Sequence, residues 1–296
     1  MSAALCRSGG EQAVPISGGG ETPKILPEGK RQRAGRRATE STRGAGTSAR
    51  HRFYVAPQQV LGGQVEFSAE QAYQLTTVLR MRVGEPVRVF DGVSEADLVV
   101  RLSRLSSRAA AGEIEGTQAY ATEPRTQLTA YPALLGRDKL DQVLQKLVEV
   151  GVARIVPVRT ARSIVRELPD GERRERWRRI VREAAEQSGR GHVPEVGEPR
   201  ALAQALAEAT ATSTVLLAQE DEHARPLRGV LRQLTHRERL SIFVGPEGGY
   251  TAGEVAQARA GGARVVSLGP RVLRTETASP VLAALIVYEL DTEVEP

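Results

Sequence analysis

From about residue 125 onward, short wholly apolar runs alternate with longer stretches in which apolar residues recur every three to four positions. The short runs predict buried strands at Gln127 to Leu134, Ala153 to Val158, Thr214 to Ala218, Leu240 to Val244 and Ala263 to Leu268. The longer stretches predict helices at Asp138 to Val150, Gly171 to Ser188, Ala201 to Ala209 and Arg225 to Leu234. Leu140, Val143, Leu144, Leu147 and Val148 form the core side of the first helix; Trp177, Ile180, Val181 and Ala184 form that of the second. Such β/α alternation predicts a mainly parallel sheet covered by helices. Near the end, Val281 to Val287 is apolar on every face, so its helix must be covered all round. Ser279 and Pro280 supply an N-cap and a first-turn proline, which predicts that this helix begins there.

The pattern differs upstream. Between Phe53 and about Tyr120 the runs are short and alternating: Pro86 to Phe90 before the turn dipeptide Asp91-Gly92, then Ala96 to Leu102 and Ala109 to Ile114. These are hairpin signals and predict a small β-barrel, with a helix at Ala69 to Leu79. Residues 1–50 show no apolar periodicity and are expected to be disordered. A dispensable tail, an Arg-rich transit peptide and residues upstream of the true start are the three readings of that segment, and its acidic residues and glycines count against the second. The expected division is therefore an extension over 1–50, a barrel domain over 51–124 and an α/β domain over 125–296.

Charge adds little once its location is considered. The net +5 arises in residues 1–50, which hold nine Lys and Arg against four Asp and Glu; the remainder carries 32 of each sign. Only local cationic clusters can then argue for nucleic acid, because phosphate affinity depends on the groups that meet the backbone. The helix with Arg173, Arg174, Arg176, Arg178, Arg179 and Arg182 interleaved with Glu172, Glu175 and Glu183 reads as a salt-bridged solvated face. One cysteine, Cys6, and four scattered histidines give neither an internal disulfide nor metal-ligand spacing, so no metal is expected. No apolar run reaches eighteen residues, so no membrane span is expected, and the chain reads as a soluble cytoplasmic protein.

Candidate chemistry concentrates in two late loops. The strand ending at Val244 runs into Gly245-Pro246-Glu247-Gly248-Gly249-Tyr250, and the strand ending at Leu268 runs into Gly269-Pro270-Arg271-Val272-Leu273-Arg274-Thr275-Glu276-Thr277. Ligands of open α/β sheets bind at the carboxyl ends of strands, where glycines let backbone groups approach closely. Thr251 and Glu254 have capping-box spacing and read as structural. Glu247 either fixes its loop through local hydrogen bonds or meets substrate; loop fixing is favoured. Walker and Gly-x-Gly-x-x-Gly signatures are missing.

These motifs, GPEGGYTAGE and then LGPRVLRTETA, closely resemble the ribosomal RNA small subunit methyltransferase E family, within the SPOUT class of trefoil-knotted methyltransferases. The similarity extends over residues 52–290. It implies a knotted, mainly parallel α/β domain preceded by a PUA-like RNA-binding barrel, and methylation of uridine N3 in small-subunit ribosomal RNA by S-adenosylmethionine. It also implies a homodimer acting on free RNA or an assembled subunit. Leu217, Gly245, Glu247, Gly248, Gly249, Leu268, Gly269, Val272, Leu273 and Thr277 are then the expected cofactor contacts. Arg80, Arg82, Lys139, Lys146, Arg162 and Arg271 are the expected RNA contacts. Arg274 first and Arg190 second are expected to stabilise charge on the target base, with Glu276 as a candidate general base. The chain departs from the family pattern at Tyr73-Gln74, where histidine is usual, and at Ala161, where glutamate is usual. Two rivals are a non-catalytic RNA-binding protein with a degenerate knot domain and a small-molecule enzyme with a phosphate site in the Gly-rich loop.

Overall fold

The computed structural model describes residue 49 and residues 51–291, apart from positions 93, 95, 120, 121, 166, 168 and 221–224. The expectation of disorder over 1–50 falls almost wholly outside the described residues.

The amino-terminal part of the described chain builds one mixed sheet. Its strands are β1 (Arg52–Tyr54), β2 (Val60–Leu61), β3 (Gln64–Phe67), β4 (Pro86–Phe90), β5 (Ala96–Leu105) and β6 (Ala110–Ala119), in the order β1-β4-β5-β6-β3-β2. β1 pairs parallel with β4, and the remaining pairs are antiparallel. The inward residues Phe53, Val65, Val87, Val89 and Val100 are fully buried, as the alternating pattern requires. Ser68 caps α1 (Ala69–Tyr73) through a capping box with Gln71, and the helix continues as a π-turn over Gln74–Val78. The turn ends at Arg80, which takes φ 54°, an uncommon value for a non-glycine residue.

The remainder is the parallel α/β layer. Its elements run β7 (Gln127–Pro132), α2 (Arg137–Val150), β8 (Arg154–Ile155), β9 (Val158–Arg159), α3 (Gly171–Ser188), β10 (Glu195–Val196), β11 (Arg200–Ala201), α4 (Leu202–Thr212), β12 (Thr214–Ala218), α5 (Leu227–Arg232), β13 (Arg239–Val244), α6 (Ala252–Ala260), β14 (Arg264–Val266) and α7 (Thr275–Asp291). The main sheet has the order β10-β8-β7-β13-β12-β14, and each of its pairs is parallel. Side chains alternate between its faces. Leu128, Ala130, Leu216, Leu240 and Ile242 join α2, α3, α5 and α7 in one core, whereas Tyr131, Val215, Leu217, Phe243 and Val265 join α4 and α6 in the other. Tyr131 and Phe243 are register partners on β7 and β13, and their rings stack at 4.3 Å. Phe90, at the end of β4, packs into the first of these cores.

Two expectations change. The strand expected from Ala153 to Val158 divides at Pro157: β8 stays in the main sheet, while β9 pairs with β11 in a separate two-stranded sheet. Proline has no N–H for the ladder, so the chain changes partners there. The last helix starts at Thr275, not at Ser279, and takes Pro280 into its second turn. Arg274 O receives the Thr277 and Ala278 amides and so opens the helix one turn early. Within the single chain α7 buries Leu282, Ala283 and Ile286 and leaves Leu285 43% and Tyr288 69% exposed.

Candidate active site at the carboxyl ends of the strands

The central strands of the parallel sheet end at one level. β12 and β13 finish together at Ala218 and Val244, which are register partners, and Ala218 also partners Val266 of β14. Beyond these ends lies a pocket walled by Ala218, Gly245, Gly249, Tyr250, Leu268 and Gly269, with Thr275 and Ala278 of α7 closing one side. It opens to solvent and has a volume of about 70 Å³.

Glycine is required where the walls turn. Gly249 has φ 65° and Gly269 φ 118°, values that side-chain-bearing residues avoid. A Cβ on Gly245 would stand 3.2 Å from the Tyr250 ring, so glycine there lets the aromatic ring pack onto the loop. Gly249 N–H donates to Pro246 O at 2.8 Å and closes the turn. Ser267 Oγ accepts from Gly269 N–H at 3.2 Å, which fixes the second loop where it leaves the sheet. Tyr250 is buried, and burial raises its phenol above the ordinary value.

Side chains from distant elements hold the first loop. Lys139, in the first turn of α2, donates from Nζ to Glu247 Oε1 at 2.5 Å. That bond raises the lysine and lowers the carboxyl from their ordinary values. Through this pair Glu247 joins its loop to the first turn of α2. Arg162 donates to Gly248 O at 2.6 Å. Glu254 closes the Thr251 capping box at the start of α6 and accepts the Ala161 amide at 2.8 Å. Lys139 of α2 and Arg162 thus hold the glycine turn, and Ala161 holds the start of α6.

Of the expected cofactor contacts, Gly245, Gly249, Leu268, Gly269 and Leu273 line the pocket, and so does Arg271 from the expected RNA contacts. Leu217, Glu247, Gly248, Val272 and Thr277 lie outside its wall. Leu217 is fully buried in the core beneath α4 because its side chain takes the opposite face from Leu216, and its neighbour Ala218 forms the wall instead. Val272 is 75% exposed. Thr277 is exposed on α7, and Thr275, one β-branched residue earlier in the first turn, is the buried threonine that reaches the pocket. Sequence reasoning missed Glu220, Tyr250 and Thr275; the signal available was position directly after a strand or at a helix start.

Arg274 is exposed beside this mouth, and its charge acts on Lys139 together with that of Glu276. Glu276 is partly buried, with Oε2 finding no hydrogen-bond partner among the described residues. Arg190 is elsewhere. It is 3% exposed, and it forms a bidentate pair with Glu123 while its Nη1 donates to the carbonyls of Val148 and Val152 at 3.2 and 2.6 Å. Residue 153 bonds to Leu128 at the start of β7, so this cluster occupies the amino-terminal edge of the sheet. The strands rise ~3.3 Å per residue, which leaves the length of β7 between Arg190 and the pocket. With each guanidinium nitrogen engaged there, Arg190 acts as a clamp within the fold and does not stand beside Arg274. Lys146 pairs with Glu149 at 2.8 Å on the same helix, and Arg80 and Arg82 are exposed on the first sheet's π-turn loop.

A parallel sheet with a glycine-walled pocket at the ends of adjacent strands defines an α/β enzyme that binds a small organic group against main chain. Residues 122–287 match the RNA methyltransferase domain family. Ribosomal RNA small subunit methyltransferase E of Synechocystis is 31% identical over 237 residues, which cover 80% of this chain and 77% of that one. The enzyme of that name from Neisseria gonorrhoeae, solved bound to S-adenosyl methionine, is 33% identical with a TM-score of 0.74, and the match covers 82% and 99% of the two chains. A Legionella pneumophila structure with the cofactor SAM bound gives a TM-score of 0.71 at 28% identity, covering 80% and 97%. The chain belongs to the ribosomal RNA small subunit methyltransferase E family.

Proposed function

We propose that the protein transfers a methyl group from S-adenosylmethionine to uridine N3 of small-subunit ribosomal RNA. The observation that carries this reading is the pocket itself: three strand ends and two positive-φ glycines, with apolar Leu268 and Leu273 on the wall. Such a wall suits an adenine and ribose read by backbone. Gly245, Gly249, Leu268, Gly269 and Leu273 would hold the cofactor, and the sulfonium it supplies is already a good leaving group.

The chain's own task is to align the base and manage charge. Uracil N3 must lose a proton as it attacks the methyl carbon, and negative charge then spreads onto the uracil oxygens. Arg274, exposed at the pocket mouth, is the residue placed to stabilise that charge. Glu276 has an unpaired carboxylate oxygen in the same turn and is the candidate to accept the proton. Arg271 offers a second cation to the RNA. The base must leave its stack to enter the pocket.

We read residues 51–124 as a PUA-like barrel and 125–296 as a knotted SPOUT domain, working in the cytoplasm. The exposed α7 face with Ala284 and Leu285 supports a homodimer, because apolar side chains on a helix otherwise buried favour a second copy. Nucleoside mass spectrometry after incubating the protein and labelled S-adenosylmethionine with undermethylated small subunits, and with their free RNA, tests the reaction. 3-Methyluridine is expected; a different methylated nucleoside, or none from either substrate, would sink the assignment.

A further inference from the structure

Two of the carboxylates around the glycine turn are spent within the fold. Glu247 pairs with Lys139, and Glu254 accepts the Thr251 and Ala161 amides. Glu220 is used differently. It lies two residues past the end of β12, is exposed, and has no hydrogen bond or ion pair among the described residues. Its Oε1 stands 3.9 Å from the point that a Cβ on Gly249 would occupy, so the carboxylate hangs over the glycine turn and lines the pocket. We propose that Glu220 sets the preference of this pocket for the positively charged methyl donor over the neutral thioether left after transfer. The proposal rests on the reading of the protein as an S-adenosylmethionine-dependent methyltransferase, and it names the residue that tells substrate from product at the cofactor site.

The first argument is the charge inventory of the wall. Among the described residues, Glu220 and Arg271 are the charged side chains that line it; Gln219, Tyr250, Ser267 and Thr275 are neutral, and the remainder is glycine, proline or apolar. Arg271 belongs to the other loop and is assigned above to the RNA. That leaves Glu220 as the charge that faces the cofactor. Its field acts beside glycines and apolar side chains, where a charge is screened less than in water.

The second argument is what the reaction changes. As the bond from N3 to the methyl carbon forms, the bond from that carbon to sulfur breaks and its electron pair stays on sulfur, while the N3 proton departs separately. A sulfonium thereby becomes a thioether. Adenine, ribose and amino-acid tail are common to both forms, so main-chain contacts to those parts hold both alike. Charge at sulfur is the difference that a carboxylate on the wall can read, because it attracts the first form and not the second. Folding gives the side chain no competing task, since no partner in the described structure depends on it.

Calorimetric titration of the full-length protein with S-adenosylmethionine and with S-adenosylhomocysteine tests this. Glu220→Gln keeps the shape and removes the charge, and the urea midpoint should hold. The variant is expected to bind S-adenosylmethionine about tenfold more weakly with S-adenosylhomocysteine affinity unchanged. An analogue with a protonated amine in place of the sulfonium should weaken alongside S-adenosylmethionine, and Glu220→Asp, which restores the charge, should recover most of the preference. Equal loss for S-adenosylmethionine and S-adenosylhomocysteine would mean that Glu220 bonds a hydroxyl or ammonium shared by both, and overturns the proposal. An unchanged ratio of the two affinities, in a protein whose wild type forms 3-methyluridine, overturns the proposal alone. A wild type that binds neither ligand sinks the methyltransferase reading and the proposal with it. If the ratio depends on the Glu220 charge while the wild type yields no methylated nucleoside, the role of Glu220 stands and the substrate assignment falls.

Discussion

Two ends of one sheet use the same residue type in opposite ways. At the amino-terminal edge, Arg190 is buried and its donors are spent on Glu123 and two carbonyls. At the carboxyl edge, Arg274 stands exposed beside a pocket walled by glycines and apolar side chains. The first arrangement closes the structure on itself, because a buried guanidinium must be fully paired to be tolerated. The second leaves groups unspent. What separates the buried Arg190 from Arg274, the residue proposed to stabilise charge, is its hydrogen-bond inventory, and both sit in motif-like segments of the chain.

The largest effect that would sharpen this contrast is on stability. Arg190→Ala strands a half-buried carboxylate and two carbonyls, and should cost about 3–5 kcal/mol by urea denaturation. A loss under 1 kcal/mol would break the comparison. Arg274→Ala should leave the urea midpoint nearly unchanged and lower methyl transfer by ~100-fold or more at saturating cofactor, in the range seen when one charge-stabilising donor is removed. A slow variant with a collapsed midpoint would place Arg274 with Arg190 as a structural residue.

Gly269→Ala comes next. Nothing lies within 4 Å of the added methyl, so the φ of 118° alone resists it. The expected cost is about 1–3 kcal/mol of local strain, read as weaker S-adenosylmethionine binding by calorimetry. Unchanged affinity would show that the loop does not need this conformation to bind.

Two carboxylates give opposite pH signatures. Burial raises Glu123, but the Arg190 hydrogen bond and charge and the His192 amide outweigh it and hold it below its ordinary value. Its contribution is present above the unfolded value of 4.5 and is lost as pH falls through the lower folded value. Glu186 is raised to about 7, so its contribution is complete below 4.5 and is lost as pH rises toward 7. Glu186→Gln should therefore flatten the stability profile between these values, and Glu123→Gln only the acid limb. The reverse assignment by thermal denaturation across pH would overturn both environments.

The smallest effect is at Lys139→Ala. The pair with Glu247 is solvent-exposed, so the urea midpoint should barely move, and the small loss should shrink further in high salt.

The alternating apolar pattern by itself determined the parallel layer, because strand and helix periods are local properties of the chain. Leu140, Val143, Leu144, Leu147 and Val148 on α2 are all fully buried, as their spacing demanded. The paired glycine loops marked the pocket for the same reason, since a positive φ is recorded in the residue type. Other features depended on partners far along the chain. Pro280 looked like a helix start until Arg274 O, one turn earlier, received the first amides of α7. Leu217 looked like a strand-end contact until the sheet's alternation turned it into the core and gave Ala218 the wall. Arg190 looked available until Glu123, 67 positions away, occupied it. Which side of a strand faces a ligand, and which charges have already met, is decided by long-range packing that no local spacing records.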